Sequence, residues 1–504
     1  MRTPLLLVAT LAVCTVVSFA SCSSSKNSSG GTSIGPSCGD DGGFDNEGGV
    51  LTPCAWDQPV TRPDDTTAQA QRTACAYTRG DMPAATLGPS TPIDTDIPIE
   101  NIVVVVMENH SFDSYLGHLN QYANRTDIES ADAGATNPGV DGGPVPWVHA
   151  PHPCSLDTDH EWLGSHQEVD NGAMDGFVRT NQGWDQDAAG PNADAGLWNG
   201  ARSMWWYDQT DLPFYYQLAS TFALADHYHC ALQGPTYPNR MYGLAATSFG
   251  EVTNVFPDIS AYPFPSNDAS VLDELEKRHV TWLAYSDGPP GAGVVYGTEG
   301  ATRWGRTILG SFKQFQDDAA SGNLPQVSFV DPDLSSETNG GAGTDEHPPG
   351  DIQSGQLFVS QVVQAVMTSP QWAHTALFIT HDENGGFYDH VLPPAACPPD
   401  DKAPLTDAGQ FGGFDALGMR VLLVAVSPYS KPGYVGHTVY DHTSVLRFIE
   451  AKFKIPALSA RDANATPVTD LFDFTDPPAF LTPPPLATPT IDPTQLSWCE
   501  STFK

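Results

Sequence analysis

A chain of 504 residues, 40% of them hydrophobic, is long enough for one large domain or a few small ones with a substantial core. Its 60 acidic against 22 basic residues give a formal net charge of −38. That balance argues against nucleic-acid binding, which draws on clustered Lys and Arg, and against electrostatic adhesion to anionic lipid.

The N-terminus reads as a processing signal. Arg2 precedes a largely apolar run over residues 5–20, then Phe19-Ala20-Ser21-Cys22 and a polar tract over 23–31. These are the charge, length and flanks of a secretory signal peptide. Phe-Ala-Ser-Cys resembles a bacterial lipoprotein cleavage box, which would make Cys22 a lipid anchor and the protein a cell-envelope lipoprotein. Simple cleavage after Ala20, giving a secreted protein, is the alternative. No later stretch reaches the ~20 apolar residues needed to span a bilayer. Outside the leader stand Cys38, Cys54, Cys75, Cys154, Cys230, Cys397 and Cys499, none at CxxC spacing. Zinc and redox motifs are therefore absent, and some of these cysteines should pair as disulfides in an exported protein.

Residues 23–97 read as a flexible tether followed by an irregular arm, 98–474 as a catalytic domain and 475–504 as a Pro-rich, extended tail. Within the domain, 102–107 (IVVVVM) is a continuous, mostly β-branched run, the pattern of a strand buried on both faces. A short helix is expected over 112–119, capped by Ser111 or Asn109. Further strands are expected at 281–286, 326–330, 376–380 and 421–426, and helices at 213–223, 271–278, 355–367 and 443–453. Buried strands alternating with amphipathic helices predict a mostly parallel sheet with helices on both faces. Residues 124–200 and 287–310 are long polar or Gly-rich insertions of the kind that wall a site.

Three segments carry chemistry. The strand over 102–107 runs into Glu108-Asn109-His110-Ser111, and the strand over 376–380 runs into His381-Asp382-Glu383-Asn384-Gly385-Gly386, followed by Asp389-His390. Both place carboxylates at the strands' carboxyl ends, where open α/β sheets bind ligands. A carboxylate directly after a buried apolar run is costly unless paired or metal-bound. The third segment, Gly234-Pro235-Thr236-Tyr237-Pro238-Asn239-Arg240, predicts a sharp turn before a helix over 241–247, presenting the Thr236 hydroxyl. Glu108, Asn109, Thr236, Asp382 and Glu383 together offer only oxygen donors, a set suited to one divalent hard cation such as Ca, Mg or Mn. His160, His347 and His390 are the candidate imidazoles for phosphoryl contact or proton transfer.

Met107–Asp113, Gly234–Arg240, Glu346-His347-Pro348-Pro349 and Asp382–His390 resemble, in the same order, the motifs of the bacterial phosphoesterase family of phospholipases C and acid phosphatases. The resemblance spans about residues 99–455. It implies an alkaline-phosphatase-like α/β fold and one metal held by Glu108, Asn109, Asp382, Glu383 and the nucleophile Thr236. It further implies catalytic roles for His347 and His160, with His166 the rival of His160, and substrate contacts from Asn239 and His390. Threonine at 236 and the segment Asp170-Asn171-Gly172-Ala173-Met174-Asp175 favour the phospholipase C branch, acting on phospholipid or another phosphate ester through a phosphothreonine. An acid phosphatase of the same family, or a non-catalytic surface lipoprotein stapled by its cation, are the alternatives.

Overall fold

The structure is a computed structural model that describes Trp56 and residues 59–185, 199–254, 270–288, 290–291, 309–337, 341–405, 411–475 and 477–503. The leader, Cys22, Cys38, Cys54 and most of the 287–310 insertion lie outside the described residues. Everything below concerns the unit Pro59–Lys504.

Among the described residues one sheet of eight strands forms the centre: β1 (Asn101–Met107), β2 (Ala223–Ala225), β3 (Trp282–Ser286), β4 (Gly310–Ser311), β5 (Val327–Asp331), β6 (Thr375–His381), β7 (Leu423–Val426) and β8 (Val435–Gly436). Their spatial order is β8-β2-β7-β6-β1-β5-β3-β4. Every pairing is parallel except those of β7, which runs against both β6 and β2. The expected mostly parallel α/β sheet is therefore present.

Strand alternation divides the core in two. Val103, Val105, Leu377 and Ile379 face one cluster with Phe358, Val359 and Val362, while Ile102, Val104, Ala376 and Phe378 face another with Leu446, Phe448 and Ile449. The helices covering the first face include α2 (Phe112–Leu116), α4 (Pro213–Thr221), α7 (Phe312–Ser321) and α8 (Ile352–Thr368). Those covering the second include α5 (Thr236–Ala245), α6 (Val271–Lys277) and α9 (His442–Phe453). Sealing of both faces is why the central strands read as unbroken apolar runs.

Several expectations are corrected. The turn expected over 234–240 is instead the start of α5, which begins at Thr236 with Pro235 at its N-cap. Pro238 stands third in the helix, where its missing N–H would have lacked an intrahelical partner anyway. The helix expected over 213–223 stops at Thr221, because Ala223–Ala225 joins the sheet. β2, β4 and β8 are only two or three residues long, too short to show a pattern in the sequence.

The arm read as irregular contains α1 (Asp65–Thr73), N-capped by Asp64. Cys75, just past it, is bonded to Cys397. The insertion over 124–200 carries α3 (Trp162–Val169). The Pro-rich tail ends in α10 (Pro493–Thr502), bonded through Cys499 to Cys154, and Cys230 is a buried free thiol.

The Cys154–Cys499 bond closes a 345-residue separation and holds α10, whose Cys499 is 3% exposed, against the first core. The double substitution Cys154→Ser/Cys499→Ser should lower unfolding free energy by about 2–5 kcal/mol. Denaturant melts check this; an unchanged midpoint would show that packing alone docks the helix.

Candidate active site

Register builds the site. β1 and β6 pair in parallel from Asn101↔Thr375 to Met107↔His381, so both strands end level and Glu108-Asn109 lies beside Asp382-Glu383. The Asp382 N–H donates to Met107 O at 3.0 Å, and the Glu108 N–H to Asp345 O at 2.9 Å, which brings the His347 loop to the same edge. Gly385, at φ +60°, packs so closely on Asn109 that a Cβ there would sit 2.2 Å from its carbonyl oxygen. Only glycine lets this loop close over Asn109.

Arg240 occupies the middle of the edge. Its guanidinium donates to Asp382 Oδ2 at 2.9 Å, Asp331 Oδ1 at 3.2 Å and Glu108 Oε1 at 3.3 Å, all from buried side chains. Three carboxylates around one guanidinium leave an excess of negative charge. Burial pushes Glu108 up to about 8 against the pull of Arg240, and pushes Glu383 up to about 8 against that of His160.

Among the described residues, two oxygens at this edge have no hydrogen-bond donor: Asn109 Oδ1 and Glu383 Oε1, both fully buried. Asn109 turns its Nδ2 to His160 Nε2 at 3.3 Å, and Glu383 Oε2 accepts from the Gly385 N–H at 2.6 Å. Unsatisfied buried oxygens amid surplus carboxylate charge are a donor set that fits a divalent cation. Arg240 already occupies one oxygen of each of two expected ligands, Glu108 Oε1 and Asp382 Oδ2. The His/carboxylate group at this cleft whose ligand atoms lie within 4.8 Å of one another is Asp157, His160 and His347.

Thr236, 5% exposed, opens α5 and stands four residues before Arg240, on the same helical face. It lines a cleft of about 500 Å3 with Glu108, Asp157, His160, Arg240 and His347. The imidazoles of His160 and His347 are 5.5 Å apart and edge to face. Their Nδ1 atoms lie 2.8 Å from Thr158 O and 2.5 Å from Pro348 O. A carbonyl only accepts, so Nδ1 carries a proton in both rings; His160 Nε2 faces Asn109 Nδ2, and His347 Nε2 is left for the cleft. Burial works to lower His347, but the charges of Asp157 and Glu108 raise it to about 9.

Two expected site residues have other work. Asn239 accepts from the Ala231 and Leu232 N–H groups through Oδ1, at 2.9 and 3.1 Å, and donates to Gly234 O and Pro235 O through Nδ2. It staples the approach to α5 through these four bonds. His390 is held by Asp113 Oδ2 at 2.6 Å and Glu129 Oε1 at 3.0 Å, in a network where Arg420 pairs with Asp113 and Asp389. Arg420 draws the 389–390 segment to that network, so His390 is not among the residues lining the Thr236 cleft. His166 packs on Trp162 and Phe411 instead.

Other groups escaped the sequence reading. Arg240 had a signal, its spacing of four from Thr236. Asp331 had one too, a carboxylate directly after a buried strand. Asp157 had none, because only the fold of the 124–200 insertion carries it to the cleft.

A family model described as "Phosphoesterase family" matches residues 99–456. Phospholipase C B of Mycobacterium tuberculosis is 30% identical over 434 residues, covering 75% of this chain and 78% of that protein. Non-hemolytic phospholipase C of Burkholderia pseudomallei is 29% identical over 75% of this chain and 59% of its own length. Non-specific phospholipase C6 of Arabidopsis thaliana is 29% identical over 79% and 76%. A solved structure described as a protein in the alkaline phosphatase superfamily from Vibrio parahaemolyticus covers 80% of this chain and 78% of its own, at a TM-score of 0.37 and 7% identity.

The His390 network has a consequence for stability. Burial works to lower His390, but the Asp113 hydrogen bond and the charges of Asp113 and Asp389 outweigh it and raise the group to about 9. A folded-state value above the unfolded ~6.5 adds stability that is complete below pH ~6.5 and lost as pH rises through about 9. The midpoint of thermal unfolding should fall by roughly 1–3 °C across that window, and His390→Asn should flatten the fall. An identical pH profile in the variant would overturn the assignment.

Proposed function

This chain belongs to the phosphoesterase family and is a hydrolase of phosphoric ester bonds; from that premise we propose that it is a metal-dependent phospholipase C acting through a covalent phosphothreonine at Thr236. The observation that carries the reading is that Thr236, at the start of α5, lines one cleft with Glu108 from the end of β1 and with His160 and His347, while the parallel register sets the end of β6 level with that of β1.

Thr236 Oγ1 attacks phosphorus, and the bond from phosphorus to the lipid alcohol breaks. The threonine proton passes to solvent in the open cleft as attack proceeds, and the departing alkoxide takes up a proton. His347, raised to about 9 and lining the cleft, would hold phosphoryl oxygens or supply that proton. Water then cleaves the phosphothreonine, releasing the phosphorylated head group and restoring the hydroxyl. Charge grows on the equatorial phosphoryl oxygens, so preorganised donors around them lower the barrier. Glu108, Asn109, Thr236, Asp382 and Glu383 would hold one divalent cation, with Arg240 keeping two of the carboxylates in place. Bound there, the cation supplies the missing positive charge and polarises the oxygens it touches.

Export through residues 1–22, with a lipid anchor at Cys22, is part of the same reading. Among the described residues no helix is long and apolar enough to cross a membrane.

Thr236→Ala should lower kcat by about 10³-fold or more on both p-nitrophenyl phosphate and p-nitrophenylphosphocholine, with an unchanged melting temperature. Retained turnover would remove Thr236 as nucleophile. Asp382→Asn should lower the bound metal found by elemental analysis as well as the rate; unchanged metal content would remove the ligand role. On phosphatidylcholine, diacylglycerol plus phosphocholine is the expected product pair, whereas monoester hydrolysis without lipid cleavage would assign the chain to the phosphatase branch.

A further inference from the structure

The first turn of α5 has an unusual cap. Its N-cap residue, Pro235, offers no side-chain acceptor, and the first N–H groups of any helix lack intrahelical partners. The Tyr237 N–H finds its acceptor elsewhere, in Asn254 Oδ1 at 2.9 Å. That contact fixes the amide of Asn254. An N–H can only be met by the carbonyl oxygen, so the oxygen faces the helix and Nδ2, two hydrogens and no lone pair, faces away from it.

Asn254 lines the same cleft as Thr236, Glu108, His160 and His347. Among the described residues its Nδ2 has no hydrogen-bond acceptor, although its Oδ1 is committed. The backbone before it is also held. Glu251 Oε1 accepts from the Val252 N–H at 2.9 Å, the Thr253 N–H at 2.9 Å and the Thr253 hydroxyl at 2.6 Å. The donor is therefore supported by one hydrogen bond on its own amide and three on the preceding turn. Asn239, the amide expected from sequence to meet the phosphoryl group, is spent on backbone.

We propose that Asn254 is a catalytic residue: its Nδ2 donates a hydrogen bond to a non-bridging phosphoryl oxygen as Thr236 attacks. The assignment rests on Thr236 being the nucleophile. The amide that would meet the oxygen gaining negative charge is hydrogen-bonded to the residue next to Thr236 and lines the same cleft. A donor fixed before substrate arrives loses little on reorganising, and removal of one such donor costs about 10²–10³-fold in kcat.

The test compares Asn254→Asp and Asn254→Ala with the wild-type metalloenzyme on p-nitrophenylphosphocholine. Asn254→Asp keeps the oxygen that caps Tyr237 and replaces the donor by a second, negatively charged acceptor oxygen; Asn254→Ala removes both without adding charge. The expected result is a loss of about 100-fold in kcat for both variants, with KM within threefold and melting temperatures within a degree or two of wild type. A merely structural cap predicts near-normal kcat in Asn254→Asp and a lowered melting temperature in Asn254→Ala, and that outcome would overturn the proposal. Loss in Asn254→Asp alone would trace the effect to the new negative charge and overturn it as well. If Thr236→Ala is inactive while both Asn254 variants turn over normally, the Asn254 proposal fails and the nucleophile stands. If Thr236→Ala remains active, the underlying reading fails first.

Discussion

The buried guanidinium of Arg240 is the interaction on which the site depends. It joins a helix to three strand ends by donating to Asp382, Asp331 and Glu108. None of these carboxylates could be buried alone, since an unpaired buried charge costs several kcal/mol and breaking such a pair about 3–5 kcal/mol. Through the i,i+4 relation within α5, the same contact fixes where Thr236 stands relative to the ends of β1 and β6. The guanidinium also explains why the carboxylates can crowd. With all three ionised, one positive charge reduces the repulsion without cancelling it, which agrees with the raised Glu108, and ionising the full set is what a divalent cation would favour.

A second tier of buried groups holds the edge from behind. His381 Nε2 lies 2.8 Å from Glu346 Oε2, and the Tyr215 hydroxyl donates to Glu346 Oε1 at 3.0 Å. These contacts tie the residue before Asp382 to the residue before His347. His442, the first residue of α9, donates from Nε2 to Asp382 O at 2.6 Å while its Nδ1 accepts from the Tyr228 hydroxyl at 3.0 Å. The two faces of the sheet therefore each contribute one brace to the same strand end. Such support is what keeps reacting groups within the narrow tolerance that phosphoryl transfer demands.

Charge is sorted into separate networks. Arg420 takes Asp113 and Asp389, with His390 and Glu129 at its border; Arg240 takes Asp331, Asp382 and Glu108. Both arginines are buried among carboxylates that follow or flank the strands. The loop from Asp382 to His390 begins in one network and ends in the other. Its two glycines make that passage possible, and it is why residues adjacent in sequence serve different purposes.

The central strands were legible in the chain, because a strand sealed on both faces is dominated by apolar residues: 102–107 is an unbroken run, and 326–330 and 376–380 are interrupted only by Gln326, Ser328 and Thr380. The sequence by itself also determined which carboxylates needed an explanation, since an acidic residue directly after such a run cannot be an ordinary surface group. Thr236 was legible as a presented hydroxyl, although two prolines made the helix that presents it look like a turn. Tertiary structure alone decided which charges pair. Arg240 reaches Asp331 and Asp382 across 91 and 142 residues of chain, and Asp157 reaches His347 through an insertion with no regular pattern. It also decided that Asn239 staples backbone and that His390 belongs to Arg420. Periodicity and local cost are written into neighbouring residues; the partner of a buried charge is whichever group the strand register brings beside it, and no local pattern encodes that.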